Sequence, residues 1–115
     1  MKVIQKPWGR EEIWAMTDSY VGKTLFVNKE HKLSLQHHDK KDETIRVISG
    51  TLLLQYGKFL DNLSTLILNP GESFHITPGV IHRMIAILDC EIVEVSTIEL
   101  DDIIRHEDDY GRVKK

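Results

Sequence analysis

From Leu33 to Gly50 the sequence reads LSLQHHDKKDETIRVISG. Two runs rich in Leu, Ile, Val and Thr flank a polar centre, His37-His38-Asp39-Lys40-Lys41-Asp42, and Ser49-Gly50 closes the second run. Strand, polar loop, strand, turn is the reading that this alternation supports. The same rhythm extends in both directions. Strand-like runs fall at 23–28, 33–38, 44–49, 51–56, 65–69, 73–77, 82–87 and 90–97, separated by turn signals such as Asn69-Pro70-Gly71 and Thr77-Pro78-Gly79. Many short strands at close spacing predict an all-β sandwich or barrel. Residues 99–115 are acid-rich and are expected to form a short C-terminal helix or a tail that folds back.

A period of two assigns faces to these strands. Ser34, Gln36 and His38 share one face, and Leu33, Leu35 and His37 share the other. Glu43 lies in phase with Ile45 and Val47, and His82 with Met84 and Ala86, whereas Arg83 points the opposite way. Glu94 shares the phase of Ile92 and Ser96. If Gln36 and His38 face inward, Leu33 and Leu35 face outward and need a cover. An N-terminal strand or a second subunit would provide it, which predicts a homodimer.

The 115 residues, 13.3 kDa in mass, suit one domain spanning 1–115. With 41% hydrophobic and 29% charged residues the balance is that of a folded chain rather than a disordered one. A net charge of −3 carries no nucleic-acid footprint. The single cysteine, Cys90, excludes an internal disulfide framework and reads as a small buried hydrophobe. No apolar run approaches the length of a membrane span, and the first ten residues lack a signal-peptide core. A soluble cytoplasmic protein is therefore expected, with no membrane or nucleic-acid partner.

Imidazole nitrogens with carboxylate or amide oxygens are ligands for divalent metals. Adjacent His37 and His38 cannot both face one cavity, so two sets compete. One is Gln36, His38, Glu43 and His82; the other is His37, Asp39, Glu43 and His82. Lys40 and Lys41 read as a solvated turn. Lys23, Arg83, Arg105 and Arg112 are candidates for holding a phosphate, because guanidinium forks pair with its oxygens.

Gln36-Xaa-His38, Glu43 and Gly50, followed by Gly71 through Gly79 to His82, resemble the two sequence motifs of the cupin superfamily. Within it the chain is similar to the C-terminal cupin domain of type II phosphomannose isomerases. The likeness runs from Lys6-Pro7-Trp8-Gly9 through Leu33-Ser34-Leu35-Gln36 to Glu107-Asp108-Asp109-Tyr110-Gly111-Arg112. It departs at Glu30, where the first motif usually begins with glycine, at Thr77-Pro78, where the proline comes one place late, and at Ala86, which replaces an asparagine. The isomerases' histidine-rich stretch is reduced to His37-His38.

The resemblance implies a double-stranded β-helix, the jelly-roll barrel of the cupins, and one divalent metal ion held by Gln36, His38, Glu43 and His82. It implies an aldose–ketose isomerase acting on a sugar or sugar phosphate through an enediolate, and it suggests Lys23, Arg83 and Arg112 as substrate-facing groups. His75, Lys23 and Glu94 are candidates for the acid/base group. Zn, Mn, Fe, Co and Ni are not distinguished. The alternative is a cupin that binds a metal or small ligand without turnover. These residues hold no counterpart of the guanylyltransferase part of those enzymes, so that activity is not implied.

Overall fold

Along Glu43–Ser49, residues Glu43, Ile45 and Val47 are buried, while Arg46, Ile48 and Ser49 face solvent. Cys90–Ser96 repeats the pattern, burying Cys90, Ile92, Glu94 and Ser96. Such alternation suits a sheet with one face on a core and the other toward water. The computed structural model describes residues 1–112 and builds them entirely from strands, turns and loops, with no helix among the described residues. In chain order the strands are β1 (Lys2–Lys6), β2 (Gly9–Met16), β3 (Val21–Val27), β4 (Leu35–His37), β5 (Glu43–Ser49), β6 (Leu52–Gly57), β7 (Ser64–Leu68), β8 (Ser73–Ile76), β9 (Ile81–Ala86), β10 (Cys90–Ser96) and β11 (Ile104–Glu107).

They form two antiparallel sheets, in the order β1-β2-β3-β10-β5-β8 and β11-β4-β9-β6-β7. The inner faces meet in a core that includes Trp8, Leu25, Val27, Ile45, Val47, Leu52, Leu54, Met84 and Ile92. The register sorts the inward side chains by chemistry. Ile92 stands opposite Leu25 and Val47, whereas Glu94 stands opposite Lys23, and Ser96 opposite Glu43. One end of the barrel is thus apolar and the other polar, with the ionisable residues gathered at the second.

Two turns fix the path between the sheets. Gly50 has φ +87, and a Cβ there would stand 2.2 Å from the carbonyl oxygen of Asp89, so only glycine fits. Glu30 adopts φ 69 and is the only residue other than glycine in the left-handed region among those described. The backbone keeps the conformation a glycine would favour, although a glutamate occupies it.

Three expectations change. Residues 104–107 form β11, paired with β4, so the stretch folds back as expected but as a strand, and the helix alternative falls; residues 113–115 of that stretch lie outside the described residues. Two further strands, β1 and β2, extend the first sheet. Leu33 and Leu35 are not an outward apolar pair: they are 9% and 7% exposed within the single chain, and Leu33 belongs to the core. Strict alternation fails there because β4 is short and is flanked by β9 and β11. The leucine argument for a dimer falls with it. Among the described residues no helix is long and apolar enough to cross a membrane.

Candidate metal centre

Residues 38–42 carry the chain from β4 in one sheet to β5 in the other. His38 stands at the start of this crossing and Glu43 just beyond it, and β9 brings His82 alongside: Gln36 and His82 are cross-strand partners. The Nδ1 of His38 donates to the carbonyl oxygen of Asp102, and the Nδ1 of His82 donates to that of Val80 at 3.0 Å. A carbonyl oxygen only accepts, so the hydrogen of each neutral ring sits on Nδ1 and a lone pair is left on Nε2. Both lone pairs face one carboxylate oxygen. Glu43 Oε1 is 3.1 Å from His38 Nε2 and 3.2 Å from His82 Nε2.

His82 Nε2 is buried without a hydrogen-bond partner among the described residues, although Glu43 Oε1 stands 3.2 Å away. The three ligand atoms lie within 4.8 Å of one another, and all three side chains are buried. Converging buried acceptors are costly unless a cation or a proton is shared among them. Two imidazoles and a carboxylate suit a borderline divalent ion, and the Nδ1-to-carbonyl bonds are the outer supports that orient such ligands. The donor set therefore fits a metal. Gln36 is buried on the same side as His82, with its Oε1 accepting from Ser34 Oγ. His37 turns the other way, with its Nδ1 2.7 Å from His106 Nε2 and its Nε2 3.2 Å from an exposed Asp39.

Behind the triad runs a chain of buried charges. Lys41 Nζ lies 3.1 Å from Glu43 Oε2 and 3.1 Å from Glu94 Oε2. Lys23 Nζ lies 3.3 Å from that same Glu94 oxygen and 3.2 Å from Glu11 Oε1. Burial works against the Lys41 ammonium, but the charges of Glu94 and Glu43 outweigh it and raise its pKa. Burial would push the Glu43 carboxyl up, yet the His38 and His82 rings, each able to give it a hydrogen bond once Nε2 also carries a proton, and then the charge of Lys41 hold it well below the ordinary range. Glu94 is the opposite case: burial and then the nearby Glu43 charge push it up, despite the two lysines.

A cavity of about 440 Å³ opens above this floor, walled in part by β1, β2 and the chain beyond β10. Lys2, Lys6, Lys23, Lys41, Arg105 and Arg112 line it against Glu11 and Asp101, so the charged part of its wall is mainly cationic. Arg105 Nε is buried with no hydrogen-bond partner among the described residues. Burial and then the positive charge of Arg112 lower the Arg105 pKa. Arg112 is held by Asp108, with Nε–Oδ2 2.9 Å and Nη2–Oδ1 3.0 Å.

The structure therefore brings together His38, Glu43 and His82, with Gln36 beside them, and Lys41 links Glu43 to Glu94 and, beyond it, Lys23. Arg112 reaches the cavity wall. His75 does not: it lies across from Thr44 on the outer face, 56% exposed, with its Nε2 2.6 Å from Asp42. Nor does Arg83, whose Nε donates to the Leu33 carbonyl and whose Nη1 lies 3.0 Å from Glu107, tying down the C-terminal chain. Lys41, read from sequence as a solvated turn residue, is buried at the centre of the network, and Glu11 was not singled out at all. A signal for Lys41 existed: it shares the even spacing of Glu43, Ile45 and Val47 and so their inward phase.

Two antiparallel sheets closed around a polar end with a histidine–carboxylate triad define the cupin fold. An RmlC-like cupin from Shewanella frigidimarina superposes with a TM-score of 0.74 at 13% identity, covering 87% of this chain and 86% of that one. The sequence profile described as mannose-6-phosphate isomerase C-terminal matches residues 1–108, and the chain belongs to that family. The xanthan biosynthesis protein XanB of Xanthomonas campestris pv. campestris is 34% identical over 114 residues, which are 95% of this chain and 23% of XanB. The mannose-1-phosphate guanylyltransferase ManC of Salmonella typhimurium is 30% identical over 96% of this chain and 23% of its own length. The chain thus spans less than a quarter of these curated relatives.

Proposed function

We propose that this cupin is a divalent-metal-dependent sugar-phosphate isomerase that interconverts an aldose phosphate and its ketose, with mannose 6-phosphate as the expected substrate. The convergence of His38, Glu43 and His82 with an unpartnered Nε2 carries this reading. His38, Glu43 and His82 hold the ion, with Gln36 beside them. A divalent ion at that point supplies Lewis-acid stabilisation of the negative charge that develops on the sugar oxygens. The family membership, and a relative whose name specifies a mannose phosphate, favour a sugar phosphate.

The protein's own groups supply the rest. Lys41 on the cavity wall stays cationic, and Glu94 behind it, whose carboxyl burial and then the Glu43 charge push up, is assigned the movement of the proton between adjacent carbons. Lys23 holds Glu94 in place from the other side. Arg105, with its free Nε, and Arg112 receive the phosphate, whose oxygens satisfy guanidinium donors.

The test is to load the protein with Zn, Mn, Co or Ni and follow mannose 6-phosphate and fructose 6-phosphate. Interconversion that His82→Ala abolishes is the expected result. Stoichiometric metal and bound sugar phosphate with no turnover would replace the isomerase by a binding module.

A further inference from the structure

We propose that Asp102 is a positioning residue for the metal centre, locking His38 and the sheet-to-sheet crossing from outside. This rests on the metal reading above for its function, but not for its geometry. Asp102 alone accepts hydrogen bonds from four successive residues. Its carbonyl takes the His38 Nδ1 hydrogen, its Oδ1 takes the Asp39 N–H at 3.1 Å, and its Oδ2 takes the N–H groups of Lys40 at 2.7 Å and Lys41 at 2.9 Å.

The crossing separates two ligands that belong to different sheets, and its length and curvature decide how far His38 stands from Glu43. Three of its backbone donors are spent on one carboxylate carried by a segment some sixty residues later. Fixing that carboxylate also fixes the carbonyl of the same residue, and the carbonyl selects which nitrogen of His38 carries hydrogen. Asp102 therefore sets both the orientation and the tautomer of one ligand, and through the Lys41 backbone it sets the approach of Lys41 to Glu43. Outer supports of this kind change metal affinity by about 10–100-fold when removed. The coupling also makes the chain beyond β10 part of the site rather than only its cover.

The experiment compares the parent with Asp102→Ala and Asp102→Asn in two readouts. Metal affinity is measured by competition for Co²⁺ against a chromogenic chelator. The tautomer of His38 is read from its ring ¹⁵N shifts in the metal-free protein. Glu107→Ala, which loosens the same segment at its Arg83 end, is the control. In Asp102→Ala, affinity should fall about 10–100-fold and the Nδ1-H tautomer should lose its dominance. Asp102→Asn keeps one acceptor oxygen and should lie between that variant and the parent; it decides the matter if the alanine variant does not fold. Unchanged affinity and an unchanged tautomer would overturn the proposal, as would an equal loss in Glu107→Ala. If the parent binds no metal, the metal reading fails while the His38 tautomer still decides whether Asp102 positions that ring.

Discussion

Lys41 and Glu43, two positions apart on the chain, face the same buried point with 3.1 Å between Nζ and Oε2, which leaves Oε1 of Glu43 to the two imidazoles. One carboxylate thus serves two neighbours, a permanent cation on one side and the candidate ion site on the other. Replacing Lys41 by Met strands Glu43 and Glu94 as buried carboxylates with one counter-charge fewer. The loss of stability should be about 3 kcal/mol, in the range for a buried ion pair stripped of one partner. Divalent metal should restore part of it, since a ligand that binds only the folded state stabilises that state. Thermal melts of Lys41→Met with and without metal check both statements.

The pH dependence of the C-terminal segment follows from Asp108. A hydrogen bond from Arg112 holds its carboxyl below the ordinary value of 3.8, with burial opposing and the Arg112 backbone N–H assisting. A depressed carboxylate contributes stability that is fully present above its unfolded value and is lost as pH falls through the folded one. The difference in melting temperature between the parent and Asp108→Asn should stay constant above about pH 4 and shrink at lower pH. A difference that grew with acid would contradict the pairing.

Glu30 offers a stabilising change. Its φ of 69 costs a side-chain-bearing residue about 1 kcal/mol, and Glu30→Gly removes that strain. Glycine also makes the unfolded chain freer, so the net gain should be about 0.5 kcal/mol. The backbone bond from the Glu30 N–H to the Ala86 carbonyl survives the substitution. Chemical denaturation of the pair measures the gain.

Cys90 should resist alkylation. Its Sγ lies 3.2 Å from the carbonyl oxygens of both Thr51 and Leu88, and burial raises its pKa. The thiolate is the reactive form, so the native protein at pH 8 should react with a thiol reagent far more slowly than the unfolded chain. Native reaction as fast as the denatured control would show that β10 opens readily.

How much of this could be read in advance depends on where each residue's partners lie along the chain. β5 and β10 alternate cleanly because one face of each meets the core, and the inward phases of Glu43, His82 and Glu94 followed from counting by twos. β1 and β2 were missed because charged residues interrupt them: Lys2 and Lys6 in the first, Arg10, Glu11 and Glu12 in the second. β1 is the edge strand of its sheet and tolerates such residues, whereas in β2 Arg10 faces solvent and Glu11 turns inward to Lys23. β11 was hidden in an acidic stretch whose strand character comes from pairing with β4, some seventy residues earlier. In sequence Lys41 reads as a solvated turn residue, because lysines between charged neighbours usually are. Its burial depends on Glu94, which only the folded sheet brings within reach.

The triad draws on both layers of the barrel: His38 and His82 stand on the β4–β9 side and Glu43 on the other. Whatever engages all three is a clasp between the two covers of a book. The apolar end serves as its spine, where Leu25, Val47 and Ile92 of one cover share a core with Leu52 and Leu54 of the other, while the polar end is the edge that opens. Filling the triad should then be felt as a mechanical change, with the covers pinned where breathing would otherwise begin, and the amides of residues 38–43 should be the first to slow their exchange with solvent.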